Sequence, residues 1–269
     1  MNEPVHIISL GAGVQSSTLA LMAACGEVKP MPKAAVFADT QAEPAAVYDW
    51  LNWLEKQLPF PVHRVTAGSL EKEVLQLHIR KDNGGYYVRS GLPGFTSGES
   101  DGMIPRQCTT DFKIEPLRKK VRELAGVPRR CKEVMVSQWI GISLDEAHRM
   151  KESRDSWCVN RWPLIELRMS RHDCLRWMEA HGFPRPPKSA CYFCPFHSDA
   201  EWRKLKREEP ALFQRAVMLE RGYQVLKAQT PMRSVPFLHR TLVPLNQVDF
   251  SEDDSPTLWG NECEGMCGV

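Results

Sequence analysis

The sequence predicts an α/β fold: a doubly wound, mostly parallel sheet followed by a C-terminal helical extension that carries cysteines. Three observations lead there. Short apolar runs of strand length alternate with helical patterns through the first 70 residues, the signature of parallel strands joined by helical crossovers. The first run ends in glycines that open a helix. No internal repeat and no clean linker divides the 269 residues, so we read one α/β domain over 1–185 and an extension packed on it over 186–269.

The elements follow in order. Val5–Leu10 is apolar and stops at glycine, as a buried strand does. Ser16–Cys25 has helical composition, and Ala34–Ala38 is a second buried strand. Val47, Trp50, Leu51, Leu54 and Leu58 fall at helical spacing, and Val62–Val65 is the third strand. Residues 82–105 are rich in Gly and Ser, and read as a long functional loop. Ile114–Leu124 reads as a helix bearing Arg118, Lys119, Lys120 and Arg122; Val134–Ile142 reads as a strand. Arg171–His181 and Ala200–Arg221 read as helices, and the tail ends Asn-Glu-Cys-Glu-Gly-Met-Cys-Gly-Val.

Composition narrows the function. Apolar residues make up 42% and charged residues 25%, which excludes a collagen-like or wholly disordered chain. A net charge of +2 does not announce a nucleic-acid binder. No apolar run approaches the roughly 20 residues of a membrane span, and no signal peptide is visible at the N-terminus, so the expected compartment is the cytoplasm. Nine cysteines in a reducing compartment point to metal or thiol chemistry rather than disulfides.

Ser9-Leu-Gly-Ala-Gly-Val-Gln-Ser-Ser-Thr18 joins a strand to a helix, where backbone N–H groups and the helix dipole receive phosphate. Gly11 and Gly13 let an anion approach the backbone, and the hydroxyls of Ser16 and Ser17 add donors. The alternative is a plain turn with Ser as the helix cap. Asp39 and Thr40 end the second strand and are placed to bond a base or ribose at the sheet's carboxyl edge; the alternative for Asp39 is capping the next helix. Cys191-Tyr-Phe-Cys194 has the spacing of two metal-ligating thiolates. Cys108, Cys263 and Cys267 are the candidates to complete the set. His197 reads as a surface or capping residue, with substitution as a ligand the alternative.

These residues together resemble the phosphoadenosine phosphosulfate (PAPS) reductase family, within the PP-loop or adenine-nucleotide alpha-hydrolase superfamily. Ser9–Thr18, with its Gly13-Val-Gln15, is similar to the family's degenerate phosphate loop. Asp39-Thr-Gln-Ala-Glu43 is similar to its second-strand motif, with Gln41 where Gly is usual. Cys108-Thr-Thr-Asp-Phe-Lys-Ile-Glu-Pro-Leu117 is similar to its Cys…Lys-Val-x-Pro-Leu segment. Gly141-Ile-Ser…Arg149 is similar to its strand-end stretch. The chain departs from the family at Gly11 and Gln15, where typical loops have Ser and Asp.

The resemblance implies an enzyme that binds an adenine nucleotide, ATP or PAPS-like, through Ser9, Gly11, Gly13, Gln15, Ser16, Ser17, Asp39 and Thr40. It implies sulfur reduction or transfer, with Lys113 and Arg149 neutralising phosphate or sulfate and Cys267 as the reactive thiolate. It also implies a 4Fe–4S cluster on Cys108, Cys191, Cys194 and Cys263, with zinc as the alternative metal and Cys263 and Cys267 interchangeable. A thioredoxin-like donor or a cysteine desulfurase is the implied partner, and no membrane is. The pairing of Cys108 with the CxxC is nearest the relatives that thiolate tRNA or phosphorothioate DNA, so a nucleic acid is an alternative acceptor. Its backbone would lie on Arg118–Arg130 and Arg203–Arg207. A non-catalytic nucleotide-binding partner subunit is the remaining alternative.

Overall fold

The computed structural model of the chain describes residues 3–80, 82, 84–88, 92–98 and 102–250. The strands are β1 (Val5–Leu10), β2 (Ala34–Ala38), β3 (Val62–Val65), β4 (His78–Ile79), β5 (Tyr86–Tyr87), β6 (Phe95–Ser97), β7 (Gly102–Met103), β8 (Val136–Ile140), β9 (Cys158–Arg161) and β10 (Val235–Phe237). The helices are α1 (Val14–Ala24), α2 (Ala45–Gln57), α3 (Leu70–Val74), α4 (Glu115–Leu124), α5 (Pro163–Glu166), α6 (Arg171–Ala180), α7 (Asp199–Glu208) and α8 (Pro210–Lys227). A wide π-helical turn, Thr110–Ile114, leads into α4, and 3₁₀ turns cover Leu144–Arg149 and Leu245–Gln247.

Five strands form one sheet in the order β3-β2-β1-β8-β9, every neighbouring pair parallel. Alternate side chains serve opposite faces. Ile8, Leu10, Ala35 and Phe37 pack with α1, α2 and α6 on one face. Ile7, Val36 and Val136 pack with Leu117 and Val121 of α4 on the other. Burial on both faces explains why β1 and β2 read as unbroken apolar runs rather than alternating ones. Helix α1 is buried along nearly its whole length, so apolar side chains surround it. The order reverses at β1: β2 and β3 lie on one side, β8 and β9 on the other. Such a switch point opens a crevice at the carboxyl edge of the sheet.

A third apolar cluster surrounds the CxxC. It joins Cys191, Tyr192, Phe193, Cys194, Trp202, Phe213 and Tyr223 to Leu70, Val74, Val88, Leu92 and Phe112. The C-terminal segment therefore shares its core with residues well inside the first 185.

Several elements differ from the sequence reading. The helix expected over Ala200–Arg221 is two, α7 and α8. Pro210 has no N–H to continue the ladder, and the residue before it, Glu209, is pushed out of the helical region to φ −129°, ψ 60°. Helix α1 begins two residues before Ser16, capped by Gly13 without a side-chain bond, so no serine caps it. The expected loop over 82–105 carries short strands: β5 pairs with β4, and β6 with β7 and β10, all antiparallel. Strand β9 was not legible, being four residues at the sheet edge. In the first turn of α4, Pro116 has no N–H to return to Phe112, and the chain just before it slackens into the π turn. No helix among the described residues is long and apolar enough to cross a membrane.

Candidate functional site

The glycine turn sits at the switch point. Its left-handed residue is Ala12 (φ 59°), between the two glycines. Gly11 N–H donates to Ser16 Oγ (3.1 Å), which pins the turn across the first residues of α1. No side chain caps α1, which leaves its positive end available to an anion. Gly141, just past β8, lies against that end: a Cβ there would stand 2.7 Å from both N and Cα of Ser16. Gly13, Gln15, Ser16, Gly141, Glu146 and Arg149 surround a pocket of about 270 Å³. Gln15 donates through Nε2 to Ser143 Oγ (3.3 Å) and Glu146 Oε2 (3.1 Å). Its Oε1 is buried with no hydrogen-bond partner. Arg149 Nη1 meets Glu146 Oε1 at 2.8 Å. The pocket thus combines an uncapped helix end, a glycine pressed against that end and an arginine.

A second pocket, about 650 Å³, opens on the other side of the turn. Leu10, Phe37, Ile114, Leu117 and Trp157 give it apolar walls, while Gly11, Gln138 and Lys113 give it polar points. Mostly apolar walls with a few placed polar groups are the make-up of a nucleoside-sized site. Asp155 and Arg118 close its rim as a forked ion pair.

Gly11, Gly13, Gln15, Ser16, Lys113 and Arg149 thus line the two pockets. Ser9, Ser17, Asp39 and Thr40 line neither. Ser9 Oγ accepts from Gln138 Nε2 (2.6 Å) inside the sheet. Ser17 Oγ accepts from the Trp50 indole (3.0 Å), holding α2 on α1. Asp39 Oδ1 accepts from Gln41 N–H (2.7 Å) and from the Tyr48 hydroxyl (2.8 Å), so it makes a local turn rather than capping α2. Burial and the Asp39 carboxylate both push the Tyr48 hydroxyl above its ordinary range. Gln41 takes the left-handed conformation (φ 57°) at the position where the resemblance expects glycine, because this turn needs that geometry whichever residue fills it.

Thr40 points instead to the cysteines. Its Oγ1 lies 3.2 Å from Cys191 Sγ. The CxxC loop is tied to the β2–α2 connection twice more: Tyr192 N–H donates to Ala42 O (2.9 Å), and Ser189 Oγ to Glu43 Oε2 (3.2 Å). Glu43 also meets Lys113 Nζ at 3.7 Å. Lys113 therefore stands between the large pocket and Cys191. His197, only 10% exposed, is not a surface residue: Nε2 bonds the Cys191 carbonyl (3.0 Å) and Nδ1 lies 3.7 Å from Glu201. Neither Glu43 nor Glu146 stood out in the sequence. The available signals were the acid ending the Asp39–Glu43 motif and the acid three residues before Arg149.

Cys108, Cys191 and Cys194 converge in one core cluster. Burial is the main cause that pushes the Cys191 thiol far above its ordinary range, with Glu43 adding to it, Lys113 and Thr40 opposing, and Cys108 near enough to contribute. As it stands, Cys191 is a protonated thiol and a poor nucleophile. Among the described residues no three His, Cys, Asp or Glu side chains stand close enough to hold a single metal ion. Cys263 and Cys267 lie outside the described residues.

No protein-family model matches the chain, and no curated protein matches it. Among solved structures, phosphoadenylyl-sulfate (PAPS) reductase from Candida auris, in a phosphate complex, is similar: 69% of this chain aligns with 76% of that one, at 14% identity and a TM-score of 0.43. A likeness of that depth assigns neither activity nor ligand.

Proposed function

We propose that this protein is an enzyme of sulfur chemistry, with an adenine nucleotide held at the carboxyl edge of the sheet and cysteine thiolates acting beside it. The contact of Thr40 with Cys191 at 3.2 Å carries the reading: it brings the CxxC to the strand end next to the nucleotide crevice. The phosphates would sit on the free end of α1 and on Arg149, the nucleoside in the large pocket, and Lys113 between the nucleotide and the thiols. An arriving phosphate competes with Glu146 for Arg149. Cys108, Cys191, Cys194 and Cys263 would hold a 4Fe–4S cluster, which when bound supplies electron transfer or a site for sulfur. Ligation would also resolve the buried Cys191 thiol, since a metal-bound thiol is deprotonated.

With a sulfated nucleotide, Cys267 as thiolate would attack the sulfur. The new S–S bond forms as the S–O bond breaks, and the nucleotide leaves with that electron pair. A dithiol donor of the thioredoxin type would then release sulfite.

Calorimetry on anaerobically purified protein tests the reading. Arg149→Ala should weaken ATP or PAPS binding by about 1–3 kcal/mol through loss of a charged hydrogen bond. Glu146→Gln should tighten binding by removing the competitor. Failure of both nucleotides to bind the wild type would overturn the proposal. Brown protein that loses its broad absorbance near ~400 nm in Cys191→Ala supports the cluster; colourless protein with one equivalent of zinc would replace it.

A further inference from the structure

A wide cleft of about 940 Å³ lies away from the two nucleotide pockets. The β4–β5 hairpin forms one wall. The end of α8 and the turn after it form the other, and Gln107 lies at its base. Tyr86 is 46% exposed on the hairpin. Tyr87 carries the Arg80 guanidinium 5.8 Å from its ring centroid. Across the cleft, Lys227 is half-buried, with its ammonium 5.3 Å from the Tyr223 ring. Neither Arg80 nor Lys227 has a carboxylate partner among the described residues, and no carboxylate lines the cleft. By contrast, Arg118 is paired with Asp155, Lys120 with Glu123, and Arg207 with Glu208. Arg122 bonds backbone carbonyls. Several cations of the basic runs conspicuous in the sequence are thus engaged, whereas Arg80 and Lys227 both face the cleft.

We propose that this cleft binds a single-stranded polynucleotide, with phosphates on Arg80 and Lys227 and an unpaired base stacked on Tyr86. Two cations without a carboxylate partner, in a cleft that also presents the exposed ring of Tyr86, form the combination that tracks a phosphodiester backbone while stacking its bases. The cleft is open at the top and larger than either nucleotide pocket, as a chain passing through requires. A purely anionic peptide would use the cations and leave the rings idle. Burial lowers the pKa of Lys227, a cost that a neighbouring phosphate relieves. Gln107 adjoins Cys108, so a base in the cleft lies one residue from the cysteine cluster. The inference rests on the sulfur-chemistry reading and gives it an acceptor.

Full-length protein is titrated with fluorescent single-stranded DNA and RNA of about ten nucleotides, within the usual span of such sites, and with a duplex of the same sequence. Single strands of at least one type should bind more tightly than the duplex. Arg80→Glu with Lys227→Glu should lower that affinity at least tenfold. The same pair should flatten the slope of log K against log salt by about 1.4, two phosphate contacts at roughly 0.7 each. Tyr86→Ala should lower affinity roughly tenfold at an unchanged slope. The proposal is overturned if neither probe binds, if the variants bind as wild type does, or if polyglutamate competes as well as the probes. ATP titrations separate the two claims. Strand binding in a protein that binds no nucleotide would overturn the proposed function and leave the cleft standing; nucleotide binding without strand binding would do the reverse.

Discussion

Replacing Gly141 by alanine tests the geometry of the crevice without assuming any reaction. The added Cβ would lie 2.7 Å from N and Cα of Ser16 and 3.1 Å from the carbonyl carbon of Gln15. Ordinary contact begins at 3.4 Å, so one backbone must retreat by about 0.7 Å. Neither moves freely: β8 is paired on both sides, and α1 is buried on all sides. Forcing a methyl into such packing costs about 1–3 kcal/mol. At roughly 2–4 °C per kcal/mol for a domain of this size, the melting temperature should fall by roughly 2–12 °C. The same methyl faces the pocket proposed for phosphate, so ATP affinity should fall further than stability alone explains. Gly126→Ala is the control: its φ is +63° with nothing within 4 Å of the new Cβ. It should cost about 1 kcal/mol of backbone strain and leave ATP binding unchanged. Thermal unfolding by circular dichroism and calorimetric titration read both quantities. A Gly141→Ala protein that melts no lower than Gly126→Ala and binds ATP normally would refute the close-approach argument.

Three further outcomes follow from contacts in the structure. Ser17→Ala should cost about 1–3 kcal/mol by leaving the buried Trp50 indole unpaired, with ATP affinity unchanged, whereas Ser16→Ala should weaken ATP; the opposite order in a titration would reverse the roles given to the two serines. Burial opposes ionisation of Glu201, but His197 and Lys188 outweigh it and hold the carboxyl at about 2, below the ordinary 4.5. Glu201 is thus worth about 3 kcal/mol above pH ~5, and that stability is lost as pH falls toward 2. Glu201→Gln keeps the capping box of α7, so its stability deficit in denaturant titrations should be full at pH 7 and shrink below pH 5; a deficit independent of pH would exclude the charge as its cause. Burial raises the Cys158 and Cys174 thiols to about 11 and about 12. Peptide mapping after brief alkylation of native protein at pH 8 should find Cys25 modified and these two intact until denaturant is added, and their early modification would contradict the burial.

Much of the frame was legible in local pattern. Strands β1 and β2 coincide with the apolar runs read from the sequence, because a strand buried on both faces needs every side chain apolar; β3 also falls where it was read, at the sheet edge. Pro210 could have signalled the break between α7 and α8, since its chemistry acts on its own neighbours. The convergence of residues distant in the chain was another matter. Cys108 and the CxxC were paired on resemblance, and their shared core came from packing between segments some 80 residues apart.

The sequence by itself determined the alternation of strand and helix, the glycine turn at a strand end, and the close spacing of two thiols, since each depends on residue type and short-range spacing. Only the tertiary structure decided how the hydroxyls are used. Ser9, Ser16, Ser17 and Thr40 carry the same donor and acceptor group, and in sequence each suits a nucleotide equally well. In the fold Ser9 meets Gln138, Ser17 meets Trp50, and Thr40 meets Cys191, while Ser16 holds the turn. A hydroxyl bonds whatever the packing brings within about 3 Å of it, and that neighbour is set by strand order and helix placement rather than by the residues beside it in the chain.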